Sequence, residues 1–382
     1  MESQSDVTPR MVVCLIAGRD AVERFPTLLK YLQLGLVDES IPTLRVVTQG
    51  EPLTTLQTGT MLLLQDRPLA WPLGRWSRRS FIADIARKLE AMNGNAPTIV
   101  HGLAPGTMDI ASDVAIESGS ELVFTVSSMK QIEDAASMRL LSRASALAPI
   151  SPLLAEVLPP SVRSAKVVEI IPIGVHPMNQ IAAFKNAQRA PVIVYAGPLS
   201  DNEELETLLR ALKQVVSRHP NVLLFLLGKG PAEDHLRRMV ESLEISDHVT
   251  FTGRLDDWRN VLDAADIFCI PRAQTVWREE PLAALAAGVC VVAAEGSLCD
   301  ELVHERTALL FPQGSDAALA HCFLKLLGDT EFARMLAAAG QGHVRISNPP
   351  AQLVSKHIEL YRRLARPHQT LAFSGDAVAG PK

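Results

Sequence analysis

The chain has 382 residues, 47% of them hydrophobic and 21% charged, with 37 Lys and Arg against 42 Asp and Glu for a net charge of −5. That length accommodates two domains of ordinary size, and that balance excludes a disordered or fibrous chain. The mild acidity, without a lysine-arginine stripe, gives nucleic acid no footing as a partner.

The polar start MESQSDVTPR leads into an apolar run broken at Gly18-Arg19-Asp20, so neither a signal peptide nor a membrane-spanning helix is expected. The five cysteines, Cys14, Cys269, Cys290, Cys299 and Cys322, are scattered without metal-ligand spacing. They fit a reducing cytoplasm, with no metal site, better than a disulfide framework.

Short apolar runs then alternate with segments of helical period. In the first half they are MVVCLIA (11–17), TLRVVTQ (43–49), TIVHGL (98–103), ELVFTV (121–126), SALAPI (145–150) and KVVEIIP (166–172). Runs apolar throughout mark strands buried on both faces, and their alternation with helices implies a parallel, doubly wound α/β sheet. The polar stretch 176–191 interrupts the rhythm, which restarts with VIVYAG (192–197), VLLFLLG (222–228), VTFTG (249–253), IFCIP (267–271), VCVVAA (289–294) and ALLF (308–311). Two Rossmann-like domains follow, with the cleft between them as the ligand site. We place the first domain at 1–177, a linker at 178–191, the second domain at 192–347, a last helix at 348–365 after the Asn348-Pro349-Pro350 break, and a disordered tail at 366–382.

In order and spacing, IPIGVHP (171–177), YAGPLSDNEELETLLRAL (195–212), LLGKGPAEDHLRRM (226–239), VTFTGRLDDWRNVLDAADIFCIP (249–271), PLAALAAGVCVVAAE (281–295) and DELVHERTALLFP (300–312) resemble the group-one, family-four retaining glycosyltransferases. AVERF (21–25) and TIVHGLAPG (98–106) resemble that family's N-terminal loop and strand end more weakly. The resemblance implies the GT-B fold, with nucleotide-sugar donor on the second domain, acceptor on the first, and the C-terminal helix returning to the first. It implies metal-independent transfer of a hexosyl group with retention, from a UDP- or GDP-linked sugar to a carbohydrate or lipid acceptor, with no cofactor required.

The donor positions depart from the family pattern. Pro198 and Glu203 stand where the family carries the arginine and lysine that clamp the diphosphate. At about 4 Å and an effective dielectric near 20, a carboxylate there turns roughly 4 kcal/mol of attraction into repulsion. Ser200-Asp201-Asn202-Glu203 has the spacing of a capping box, which explains Glu203 without a ligand. Thr275 and Ala283 fall where the resemblance places two sugar- and ribose-binding glutamates, while Glu279 and Glu280 lie between them at a helix start, where the macrodipole favours acids. Ser297-Leu298 replaces a glycine pair, and the leucine is expected to crowd the sugar. Asp20-Ala21 replaces another pair, and Ser127 stands in for an acceptor-side histidine.

The catalytic candidates are therefore His101, at a strand end expected to face the cleft, and Glu279 and Glu280. The donor-binding candidates are Gly197, Gly228, Lys229, Gly230, Gly253, Arg254, Arg272, Thr275 and Ser297, with Arg278 as a further source of charge. The glycines read as architectural with or without a ligand. Three functions compete: a glycosyltransferase with atypical donor contacts, a glycosyltransferase-like binding or partner subunit that has lost donor chemistry (a pseudoenzyme), and a sugar-nucleotide epimerase on the same fold. Trp71 and Trp76 in LAWPLGRWSRR add an aromatic-basic patch for an acceptor, a peripheral membrane contact or a protein partner, or else loop packing on the first sheet.

Overall fold

The structure, a computed structural model, describes residues 11–47, 61–65, 74–93, 96–200, 202–255 and 258–366. The first sheet contains β1 (Val12–Ile16), β2 (Thr43–Val47), β3 (Met61–Gln65), β4 (Thr98–Gly102), β5 (Glu121–Val126), β6 (Ala146–Pro149) and β7 (Val167–Val168), in the order β3-β2-β1-β4-β5-β6-β7. The second contains β8 (Val192–Ala196), β9 (Leu223–Leu227), β10 (Val249–Gly253), β11 (Ile267–Ile270), β12 (Cys290–Ala294) and β13 (Ala308–Phe311), in the order β10-β9-β8-β11-β12-β13. Every pairing is parallel. β1, β4 and β12 are buried along their whole length, as strands covered by helices on both faces must be.

Every apolar run singled out above forms a strand, although KVVEIIP yields only two strand residues. β3 is an addition that the sequence reading did not anticipate. Residues 169–191 carry no helix or strand. Glu169 and Ile171 still bond to β6 of the first sheet, and from Met178 the segment lies along the second domain: the amides of Met178, Ala182 and Ala183 donate to the carbonyls of Ala286, Ala287 and Gly288 at 2.8, 3.2 and 2.9 Å. Among the described residues no helix is long and apolar enough to cross a membrane. The tail beyond Arg366, Trp71, the Trp76 side chain and the Asp201 of the capping box lie outside the described residues.

After the helix Thr330–Ser347 the chain turns at Asn348, and the helix Pro350–Ala365 returns to the first domain, as expected of GT-B. There it packs on the helix Pro26–Asp38 and on β4. Gly35 makes this possible, since a Cβ there would stand 2.1 Å from Val354 Cγ1.

This docking corrects the expectation for His101. The ring is fully buried, with Nδ1 2.6 Å from the Tyr361 hydroxyl and Nε2 2.9 Å from Thr125 Oγ1. Burial first, and the neighbouring His357 second, hold its pKa well below the ordinary histidine value. It fastens the last helix to β4 and does not reach the cleft. His357, also buried, has its pKa pushed down from 6.5 to about 4 by burial. A histidine whose folded pKa is depressed leaves stability whole above its unfolded value near 6.5 and removes it as pH falls towards 4. His357 alone accounts for on the order of 3 kcal/mol across that window. Urea unfolding at stepped pH should therefore show the wild type losing stability from pH 6.5 to 4.5 faster than His357→Gln; parallel curves would rule this out.

Candidate functional site

In a doubly wound sheet, ligands sit at the carboxyl ends of the strands where the order reverses, here between β8 and β11. A cavity of about 340 Å³ opens there, lined by Tyr195, Gly197, Pro198 and Glu204 after β8 and by Arg272, Thr275, Arg278 and Glu280 after β11. It shares Gly197, Pro198, Arg278 and Glu280 with a cleft of about 520 Å³ reaching Gly228, Lys229, Arg254, Leu255, Trp258 and Arg259. The opposite wall of that cleft is Val22, Glu23, Arg24 and Pro26 of the first domain. Both volumes lie in the range of small-molecule sites. A further depression of about 640 Å³, around Arg218 and His219, lies at the amino ends of β8 and β9, where this topology places no ligand.

Close backbone contact explains the glycine turn after β9. A Cβ on Gly228 would lie 1.8 Å from the Gly197 carbonyl oxygen, and one on Gly230 would lie 2.2 Å from that of Leu199. The Gly197 amide donates to Leu227 O and the Gly228 amide to Gly253 O, each at 2.9 Å. The turns after β8, β9 and β10 therefore support one another; Gly197 and Gly228 also line the cleft, whereas Gly230 and Gly253 line neither cavity and are architectural. Tyr195 closes the floor by donating its hydroxyl to the Pro198 carbonyl at 3.0 Å, and burial raises that hydroxyl's pKa.

Positive charge prevails in the cleft. Arg24, Lys229, Arg254, Arg259 and Arg278 line it against Glu23 and Glu280, five cations to two acids. Lys229 makes no ion pair with any described residue. Arg254 approaches Glu23 across the domains at 3.6 Å, an exposed pair of little energetic weight. Arg278 is paired with Glu280, its Nε 3.1 and 3.2 Å from the two carboxylate oxygens. Burial works against the arginine's charge, yet the carboxylate and its hydrogen bond outweigh it and raise the pKa. Arg272 pairs with Glu204 at 2.5 Å.

The two glutamates need correction. They do stand at a helix start, with Glu279 the N-cap residue of Glu280–Ala286, but Glu279 makes no side-chain cap bond there. Instead, Arg259 Nη2 donates to Glu279 Oε1 at 2.6 Å and the Thr27 amide donates to Oε2 at 3.0 Å, while Glu280 is held by Arg278. Both carboxylates are already paired with an arginine. Thr275 lines the smaller cavity, but its backbone is tied to the first domain: the Met129 amide donates to Thr275 O at 3.2 Å and the Trp277 amide to Ser127 O at 2.9 Å. Ser297 lines neither cavity and bonds back to the Ala294 carbonyl at 3.2 Å. Leu298 is turned into the core at 3% exposure, so it does not crowd the site as expected. Glu203 stands in the first turn of the helix Asn202–Val216 and lines neither cavity.

Arg24 belongs to the AVERF stretch already noted, whereas Arg259, Tyr195 and Glu204 are not among the sequence-based candidates. Arg259 follows Trp258, whose ring it covers at 5.1 Å, at spacing indistinguishable from an ordinary exposed helix turn.

Residues 190–329 match the family model described as Glycosyl transferases group 1. The chain is 33% identical over 164 residues to the GDP-mannose-dependent monoacylated alpha-(1-6)-phosphatidylinositol monomannoside mannosyltransferase of Corynebacterium glutamicum, covering 40% of this chain and 42% of that protein. It is 28% identical over 199 residues to the lipopolysaccharide core biosynthesis glycosyltransferase LpsD of Rhizobium meliloti, covering 48% and 57%. It thus spans about half the length of the curated relatives it matches. Two solved structures share the fold over nearly the whole chain. They are sucrose-phosphate synthase from Thermosynechococcus elongatus (TM-score 0.75, 20% identity, 93% of this chain and 99% of that one) and Anabaena HepE in complex with UDP and glucose (TM-score 0.73, 15% identity, 92% and 100%).

Proposed function

We propose, from the match of residues 190–329 to the family model of group 1 glycosyltransferases, that the cleft binds a nucleotide sugar and transfers the hexosyl group, with retention, to a carbohydrate or lipid acceptor. The observation that carries this reading is the cation-lined cleft beside the β8/β11 switch point. It offers Lys229, Arg254 and Arg278 to a diphosphate at strand ends adjoining Pro198, where the family pattern puts its arginine. Charge builds on the diphosphate as the glycosidic bond breaks, and cations in a partly buried cleft stabilise that charge. Arg278 meets it by exchanging its Glu280 partner for phosphate oxygen.

Relatives named for GDP-mannose and a fold neighbour solved with UDP make GDP- and UDP-hexoses the donors to try. The expected outcome is release of UDP or GDP from one of these donors when candidate lipid or oligosaccharide acceptors are supplied, with the product's anomeric configuration, read by the one-bond C1–H1 NMR coupling, matching the donor's. A folded sample that releases nucleotide from none of them, acceptor present or absent, would move the protein to the partner-subunit reading.

A further inference from the structure

We infer that Glu279 is a positioning residue that clasps the two domains by capping, from the second, a helix of the first. The helix Pro26–Asp38 begins without the groups that usually satisfy its first amides: its N-cap residue is Phe25, which makes no side-chain cap bond, and its first turn holds no acid. Glu279 supplies what is missing. Its carboxylate accepts the Thr27 amide at 3.0 Å and the Thr27 hydroxyl, while Arg259 donates to it at 2.6 Å. A carboxylate at 2% exposure has lost its hydration, and these donors replace it.

The clasp is the last of three attachments along residues 275–279. The first is the pair of backbone bonds to Ser127 and Met129, with Ser128 and Val276 forming an antiparallel bridge. The second is Trp277, 3% exposed, packed on Phe25 with ring centroids 6.2 Å apart. Arg259 and Glu279 both belong to the second domain and stay together when the domains part, whereas the Thr27 bonds exist only when they meet. Closure therefore completes the coordination of Glu279 and fixes the Arg259 guanidinium at the cleft wall. The consequence for nucleotide binding rests on the function proposed above; the clasp does not.

Hydrogen exchange of the full, ligand-free chain, read by mass spectrometry, separates the two. Glu279→Ala should raise exchange about tenfold in peptides covering 25–31 and 275–279 together and leave β8 and β9 peptides unchanged. Glu279→Gln, which keeps an oxygen for the Thr27 amide, should lose less protection, and Thr27→Val should loosen the same two peptides from the opposite side. Thr27→Val also carries the test if Glu279→Ala does not fold. Unchanged exchange over 25–31 in these variants, or loss confined to 275–279, overturns the clasp. With UDP or GDP present, Glu279→Ala should bind several-fold more weakly than Glu279→Gln. If the wild type binds neither nucleotide, the functional reading fails while the exchange result still decides the clasp.

Discussion

Arg278→Ala is expected to weaken UDP or GDP binding by about a hundredfold, equivalent to about 2.7 kcal/mol. The loss is large because two changes coincide. The variant removes a cation from the cleft wall and uncovers Glu280, 8% exposed, which then faces the diphosphate without its partner. A full reversal of charge at about 4 Å would cost more, and solvent in the open cleft reduces it. The sign of the companion variant is the sharper test. Glu280→Ala frees Arg278 and should tighten nucleotide binding, and the double variant should fall between the two, with a coupling measurable by titration of all four proteins. Equal affinities in wild type and Arg278→Ala would remove Arg278 from the site.

Asp266→Ala is expected to destabilise the second domain by about 3–5 kcal/mol, measured by chemical denaturation. Asp266, 2% exposed, accepts the Phe184 amide at 2.6 Å, the Val192 amide at 2.8 Å, and Arg189 through Nη1 and Nη2 at 2.7 Å each. These bonds tie the connecting segment to the first strand of the domain at the level of β11. Truncation leaves two amides and a guanidinium without their acceptor, so the penalty is that of unpaired polar groups, not of one hydrogen bond. Asp266→Asn keeps one acceptor oxygen and should lose less. A drop below 1 kcal/mol for Asp266→Ala would mean that the segment is held elsewhere.

The fold was legible because strands buried on both faces write themselves as apolar runs, as β1, β11 and β12 do, while β10, the alternating and partly exposed VTFTG, is legible from its place in the rhythm. β3 was not, since the residues between it and β2, TQGEPLTTLQTGT, show no helical period to signal a crossover. The departures at Pro198, Thr275 and Ala283 were also readable, because each is a single position counted from a strand end. What replaces them was not. Arg278 and Glu280 looked like surface and helix-start residues because their pairing shows only once the helix has a direction. Partners far along the chain were invisible: Tyr361 lies 260 residues from His101, and Thr27 lies 252 from Glu279. Those distances explain why His101 read as a cleft residue and Glu279 as its own helix's acid.

Calorimetric titration of the folded wild type with UDP and with GDP tests the central claim most directly, since both nucleotides present the diphosphate that Lys229, Arg254 and Arg278 would hold. A saturable one-to-one binding heat with at least one of them, at millimolar affinity or tighter and weakening as salt rises, is the predicted result. No binding heat from either, at protein concentrations that would reveal millimolar affinity, would contradict it.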